Sequence, residues 1–212
     1  MKLYSYWRSS AAYRVRIALN MKRVVYEQVP IHLVKKEQSS PEYLALNPSG
    51  LVPALVTDDG QVLTQSIAIC EWLEETVSGP SILPEKEYDR VRARTIAQII
   101  ACDIHPLNNT RVQAYLRTEM KQDDAQVQAW IHTWIASGLA AAEALIVDGK
   151  RYAVGDRPSV ADICIVPQLY NARRFDVDLT PYPKLCAIDA EAAKLQPFID
   201  AQPERQPDAP PT

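Results

Sequence analysis

Three short stretches in the first third of the chain carry residue types suited to holding an anion. The first is Arg8-Ser9-Ser10-Ala11-Ala12-Tyr13-Arg14-Val15-Arg16, which follows an alternating run and opens a helical pattern. A strand-to-helix turn presents free backbone N–H groups and the positive end of the helix dipole. Two serine hydroxyls there add donors that suit a thiolate or a phosphate, although capping the helix is the simplest task for Ser9 or Ser10. The second is Val52-Pro53, ahead of a third strand. A cis proline at such a place exposes the preceding N–H and C=O for pairing with an extended ligand. The third, Gln65-Ser66, opens the next helix and adds an amide and a hydroxyl to a second helix N-terminus. Together the three outline one groove for a short anionic peptide.

The elements that must position these residues read as two halves. Residues 2–6 alternate as a short strand, 10–22 follow as a helix, and 26–33 read as a second strand. Residues 51–57 and 61–64 flank Asp58-Asp59-Gly60, a hairpin signal, and Ser66 then caps a helix with Ile69, Cys70, Leu73 and Val77 on one face. With a long connection over 34–50, this order predicts a small α/β sheet domain over residues 1–78. Gly79, Pro80 and Pro84 mark a linker over 79–87. Everything beyond is helical: a domain over 88–201 in an α/β plus all-α chain. Residues 88–104 and 108–120 form one helix interrupted at Pro106, and 123–147 a second. Ser159-Val160-Ala161-Asp162 resembles a capping box and starts a third, to about 175, before a last helix over 184–201. Four prolines between 202 and 212 predict an irregular tail. Trp130 and Trp134, four apart on one helix, read as core.

Composition narrows the chemistry. A chain of 212 residues with a formal net charge of −3 leaves no electrostatic footprint for nucleic acid or an anionic membrane surface. No run approaches the ~18 apolar residues of a membrane-spanning helix, and Arg8, Arg14 and Arg16 interrupt what a signal peptide would need. Cys70, Cys102, Cys164 and Cys186 are isolated, and His32, His105 and His132 are scattered. That pattern predicts no metal site and a reducing, cytoplasmic home.

Over essentially its whole length the chain resembles the zeta class of the glutathione transferase superfamily, the class of maleylacetoacetate and maleylpyruvate isomerases. The resemblance rests on Y-S-Y-W-R-S-S-A-A-Y-R-V-R-I-A-L at 4–19, A-L-N-P-S-G-L-V-P-A-L at 45–55 and Q-S-I-A-I at 65–69. It continues through C-D-I-H-P-L-N-N at 102–109, G-D-R-P-S-V-A-D at 155–162 and V-P-Q-L-Y-N-A-R-R-F-D-V-D-L-T-P-Y-P at 166–183. The first and last pieces are specific to the class, whereas the V-P and Q-S pieces occur in many glutathione transferases. The likeness implies a thioredoxin-like N-terminal domain, an all-helical C-terminal domain, a homodimer and glutathione as cofactor. By position it makes Ser9 the donor to the glutathione sulfur with Ser10 beside it, and pairs Val52 with the cysteinyl backbone. It gives Gln65 and Ser66 the γ-glutamyl end, adds Gln38, His105 and Asn109 as further glutathione contacts, and assigns Arg8 and Arg174 to substrate carboxylates. Arg173 adjoins Arg174, and position in the motif favours Arg174.

One departure matters. Where the class motif carries Cys and, two residues on, Trp, this chain has Ala11 and Tyr13. No protein thiol stands at position 11, but Ser9 keeps its role because glutathione brings its own sulfur. The implied activity is cis–trans isomerisation of a small cis-enone dicarboxylic or keto acid, maleylacetoacetate to fumarylacetoacetate in tyrosine and phenylalanine breakdown. The alternatives are maleylpyruvate in gentisate breakdown, a detoxifying transferase or dehalogenase that consumes glutathione, and an interaction module without catalysis. The serine turn and the Gln65-Ser66 pair are both intact, which argues against the module.

Overall fold

The computed structural model describes residues 1–211 and divides them into two compact units. In chain order the elements are β1 (Lys2–Ser5), α1 (Ser10–Met21), β2 (Glu27–Pro30), α2 (Pro41–Leu46), β3 (Ala54–Val56), β4 (Val62–Thr64) and α3 (Ser66–Thr76). Then come α4 (Glu87–Gln98), α5 (Thr110–Thr118), α6 (Asp124–Leu145), α7 (Val160–Arg174), α8 (Pro183–Ala192) and α9 (Gln196–Asp200). One unit comprises Met1–Ile82 together with the chain from Ala193 onward; the other is Leu83–Ala192.

The first unit is built on a four-stranded sheet in the order β2-β1-β3-β4. Strands β1 and β2 are parallel, as a strand–helix–strand crossover requires, and the β3–β4 hairpin returns antiparallel beside β1. This is the thioredoxin-like arrangement the resemblance implies. Helix α1 packs against both α3 and α9 and is buried from Ser10 to Leu19, including Arg14 and Arg16. The connection after β2 holds two 3₁₀ turns, Leu33–Lys35 and Glu37–Ser39, and then α2, whose N-cap Ser40 accepts from the Tyr43 N–H at 3.2 Å.

Several sequence expectations are corrected here. Ser66 does not cap α3; Gln65 takes the cap position and Ser66 is the first helical residue. The single helix expected over 184–201 is two. Pro197, which has no N–H to give, sits in the first turn of α9, where that loss costs nothing. Residues 193–201 were expected in the helical domain, yet they pack with the first unit: Asn20 Nδ2 donates to Pro197 O at 3.0 Å. The proline-rich tail, expected to be irregular, forms one 3₁₀ turn at Pro203–Arg205, and Asp208 accepts from the Trp7 N–H at 2.8 Å and from Gln28 Nε2 at 3.3 Å.

In the second unit, α4 runs into a π-helical stretch at Ile99–Ile104, and the turn holding Pro106 separates it from α5. The interruption expected at Pro106 is therefore broader than a kink. Gly138 of α6 meets this stretch: a Cβ there would lie 2.1 Å from Ile104 Cγ1. Helix α7 starts with the expected capping arrangement, in which Asp162 accepts from the Ser159 N–H at 2.7 Å and the Ser159 hydroxyl at 3.0 Å. Asp162 also accepts from the Ala153 N–H, and its burial pushes the carboxyl up to about 6. Trp130 is half-buried and donates to Leu107 O at 2.8 Å, but Trp134 is 37% exposed and not core. Cys70 and Cys164 are buried, Cys186 is half-buried and Cys102 is exposed, all as free thiols. Among the described residues no helix is long and apolar enough to cross a membrane, and no cluster of His, Cys, Asp or Glu could hold a metal.

Candidate functional site

Strand register gathers the first unit's candidate residues. Tyr4 lies opposite Ala54, and Ala54 opposite Thr64. The chain leaving β1 through Ser9 and Ser10, entering β3 through Val52-Pro53 and leaving β4 at Gln65-Ser66 is therefore at one end of the sheet. Ser5 pairs with Pro30, so the segment leading to Gln38 departs β2 at that same end. The sequence motifs together suggest one groove, and the strand pairing shows how the sheet brings their segments to the same end.

Ser9 is the N-cap of α1, and its Oγ accepts from the Ala12 N–H at 3.2 Å. A hydroxyl that accepts in this way still carries its own proton, and among the described residues nothing receives it. Capping and donation are thus compatible: the oxygen closes the helix while the O–H is left for an external acceptor. Ser10, the first helical residue, is 5% exposed. Arg8 lies in the preceding turn, its guanidinium 5.3 Å from the Trp7 ring centroid. Arg16 holds this turn from beneath, donating to Ser5 Oγ at 3.2 Å, Trp7 O at 3.0 Å and Ala201 O at 3.0 Å.

The Val52-Pro53 peptide is cis. Tyr43 Oη and Asn47 Nδ2 both donate to Leu51 O, at 2.6 and 2.7 Å, which pins the loop from behind. Burial, foremost, pushes the Tyr43 phenol up to about 12, so it stays a donor at any working pH. Among the described residues Val52 itself makes no backbone hydrogen bond. Its N–H and C=O are a ready pair for an extended chain. Gln38 flanks the same loop, since a Cβ on Gly50 (φ +62°) would stand 3.3 Å from Gln38 O. The Gln38 Oε1 is buried and has no partner among the described residues.

Gln65 has φ +67° and ψ 117°, a conformation that costs a non-glycine residue about 1–3 kcal/mol and tends to persist at working sites. No side chain caps α3 and no acidic residue lies in its first turn. Ser66, 6% exposed, accepts from Arg14 Nη1 at 3.3 Å. Arg14 and Arg16 are two charged residues inside a helix that is otherwise largely apolar, the one sign in the sequence that this helix buries charge.

The second unit holds the remaining candidates. His105 is half-buried at the end of the π-helical stretch, its N–H donating to Ile100 O at 3.0 Å. Asn109 caps α5, its Oδ1 accepting from the Arg111 N–H at 3.1 Å, which leaves its amide group able to donate. Arg174 ends α7, exposed and stacked 4.6 Å over the Phe175 ring. Arg173 is engaged elsewhere, in a 2.6 Å ion pair with Asp189 of α8. A buried amide network holds the 105–109 turn to α7: Asn171 Oδ1 accepts from Asn108 Nδ2 at 3.3 Å and from Gln168 Nε2 at 3.4 Å.

Residues 1–75 match the family described as glutathione S-transferase, N-terminal domain, and residues 108–188 its C-terminal domain. A maleylpyruvate isomerase of Ralstonia is 51% identical, over 99% of this chain and 100% of its own. The holo structure of maleyl pyruvate isomerase, a bacterial zeta-class glutathione S-transferase, superposes with a TM-score of 0.95 at 50% identity, covering 99% of this chain and all of that one. A maleylacetoacetate isomerase of Methylobacterium extorquens with bound malonate and glutathione superposes equally well, TM-score 0.95 at 40% identity over the full length of both.

Proposed function

We propose, from the premise that this chain belongs to the zeta class of the glutathione S-transferase family, that it is a glutathione-dependent cis–trans isomerase of maleylacetoacetate. The observation that carries the reading is the Ser9 hydroxyl, which caps α1 and keeps its proton for an outside acceptor, at the sheet end shared with Val52 and Gln65-Ser66. Glutathione fits the groups left open there. Val52 offers an unpaired N–H and C=O to its cysteinyl backbone, and Gln38 an unpartnered amide oxygen.

When bound, glutathione supplies a thiolate that adds to the cis-enone and leaves again, so that the double bond is single long enough to rotate. Ser9 stabilises that thiolate by donating a hydrogen bond from its hydroxyl, assisted by the positive end of α1. Ser10 lies beside it. Gln65 and Ser66 hold the γ-glutamyl end, and His105 and Asn109 are further candidate glutathione contacts. Arg8 and Arg174 take substrate carboxylates, fixing the acid ends while the central bond turns. Arg8 also steadies the enolate charge that develops on the substrate. Position in the motif favours Arg174 over Arg173 in this role.

Maleylpyruvate is the alternative substrate, favoured by the 51% identity to the Ralstonia enzyme. The chain acts as a homodimer in the cytoplasm, a setting in keeping with four free thiols. The test is purified protein with catalytic glutathione and each maleyl acid in turn. Complete conversion to the trans acid with no loss of titratable thiol supports the reading, and the ratio of kcat/KM values ranks the two substrates. Stoichiometric disappearance of glutathione, or turnover of neutral halides alone, rejects it in favour of a transferase.

A further inference from the structure

The turn that carries Arg8 and Ser9 is closed by one bond of its own, from the Ser9 N–H to Tyr6 O at 3.0 Å, with Trp7 and Arg8 as its central residues. The N–H and C=O of Trp7 lie outside that closing bond and need partners elsewhere. Side chains take both. Arg16 Nη2 donates to Trp7 O at 3.0 Å from α1, and the Trp7 N–H donates to Asp208 Oδ2 at 2.8 Å. Asp208 comes from the tail, 201 residues on, within the same unit as the turn. Its other carboxylate oxygen accepts from Gln28 Nε2 at 3.3 Å, and the two bonds together fix the plane of the carboxylate. The tail is built to present it. Gln206, 7% exposed, donates to Asp200 O at 2.9 Å and Gln202 O at 2.7 Å. The Ala209 N–H then closes a turn onto Gln206 O at 3.0 Å, with Pro207 and Asp208 at its centre. Pro207 holds its φ fixed, which lowers the freedom this segment gives up on ordering. Trp7 stands two residues ahead of Ser9, whose backbone (φ −70°, ψ 119°) sets where the hydroxyl points, and its ring carries the Arg8 guanidinium at 5.3 Å. A shift of Trp7 moves both.

We propose that Asp208 is a positioning residue of the thiolate site: by holding the Trp7 N–H it fixes the turn that aims the Ser9 hydroxyl. This rests on the glutathione reading and adds to it a tail carboxylate that acts only through the turn.

The test measures the thiolate absorbance of bound glutathione across a pH titration, steady-state kinetics on a maleyl acid, and urea unfolding. The proteins are the parent chain, Asp208→Ala, Asp208→Asn, Ser9→Ala and the double variant of Ser9→Ala with Asp208→Ala. Asp208→Ala should raise the pKa of the bound thiol by about half a unit to one unit and lower kcat about threefold to tenfold, with KM for glutathione changed less than about twofold. Asp208→Asn keeps an acceptor for the Trp7 N–H, and Gln28 can turn its amide to offer oxygen instead, so this variant recovers most of the loss. In the Ser9→Ala background, Asp208→Ala should add no further change in thiol pKa, because the group it positions is gone. If Asp208→Ala does not fold, Gln28→Leu replaces it: loosening the carboxylate plane should lower kcat about twofold, and no change overturns the proposal. A loss of stability with thiol titration and kcat unchanged makes Asp208 a tie for the tail alone and overturns the proposal, as does an equal pKa shift with and without Ser9. A parent chain that gives no thiolate signal, or one that Ser9→Ala leaves unaltered, removes the Ser9 reading and this proposal with it. A shift in Ser9→Ala with none in Asp208→Ala overturns this proposal alone.

Discussion

Replacing Gly138 with alanine tests how α6 is fitted to the π-helical stretch that ends at His105. Two opposed effects set the outcome. In a helix interior, alanine is favoured over glycine by about 1 kcal/mol. Against this, the new Cβ would stand 2.1 Å from Ile104 Cγ1 and 2.5 Å from Cδ1, far inside contact distance. Ile104 is fully buried, and its β-branched side chain has little freedom at χ1 with which to move aside. Overpacking of this kind costs about 1–3 kcal/mol and more when the obstacle is stiff. The clash outweighs the helix propensity, so Gly138→Ala should destabilise the protein by about 1–2 kcal/mol net. The cycle with Ile104→Ala decides the cause. That single change should cost about 2–5 kcal/mol by leaving a cavity, but once it is made the alanine at 138 meets no clash and fills part of the space. The sign then reverses, and Gly138→Ala should stabilise the Ile104→Ala background by about 1 kcal/mol. Urea unfolding followed by circular dichroism reads both numbers. A Gly138→Ala protein as stable as the parent refutes the packing argument, and an equal penalty in both backgrounds shows that Ile104 is not the obstacle.

Ser9→Ala should raise the pKa of bound glutathione by about one unit, the equivalent of ~1.4 kcal/mol of lost thiolate stabilisation, and slow turnover. It should also lower stability by about 1 kcal/mol through the lost cap; thiolate absorbance unchanged across a pH titration would contradict the assignment. Arg174→Ala should raise KM for the maleyl acid with kcat nearly intact, whereas Arg8→Ala should lower kcat as well, and steady-state kinetics separates the two patterns. Glu74 supplies the pH dependence. Burial raises its carboxyl, but the Lys22 ammonium at 2.7 Å, the Ser81 hydroxyl and the Ile82 N–H together outweigh burial and hold it below the usual 4.5. A carboxyl lowered in the folded state contributes stability above its unfolded pKa and loses it as pH falls through the folded value. Glu74→Gln should therefore cost about 3 kcal/mol at neutral pH, because Lys22 is left buried without its counter-charge. The same variant should flatten the fall in stability below about pH 4.5, and an unchanged acid profile in melts taken from pH 7 to 3 would count against the pair.

What the amino-acid sequence determined by itself is whatever acts within a turn or two of chain. The strand–helix order of residues 1–76 follows from local periodicity, the β3–β4 hairpin from Asp58-Asp59-Gly60, and the α1 cap from Ser9 three residues ahead of the N–H it receives. The candidate residues Ser9, Val52, Gln65 and Ser66 stand in motifs of the same short range. Tertiary structure decided the rest, because burial depends on partners far away in sequence. Arg16 is satisfied by a carbonyl 185 residues on, and the tail is tied down by Asp208 reaching Trp7 across 201 residues. No local pattern announces such contacts. They are why two arginines enter the core of α1, why residues 193–201 leave the helical domain, and why a segment with four prolines is held in place. Trp134 fails as core for the converse reason: a spacing of four puts it beside Trp130, but only the neighbouring helices decide whether that face is covered. The site divides the same way. The candidate donors lie in short motifs, while their gathering at one end of the sheet, and the Arg14 guanidinium against Ser66, arise from strand register and packing that no motif encodes.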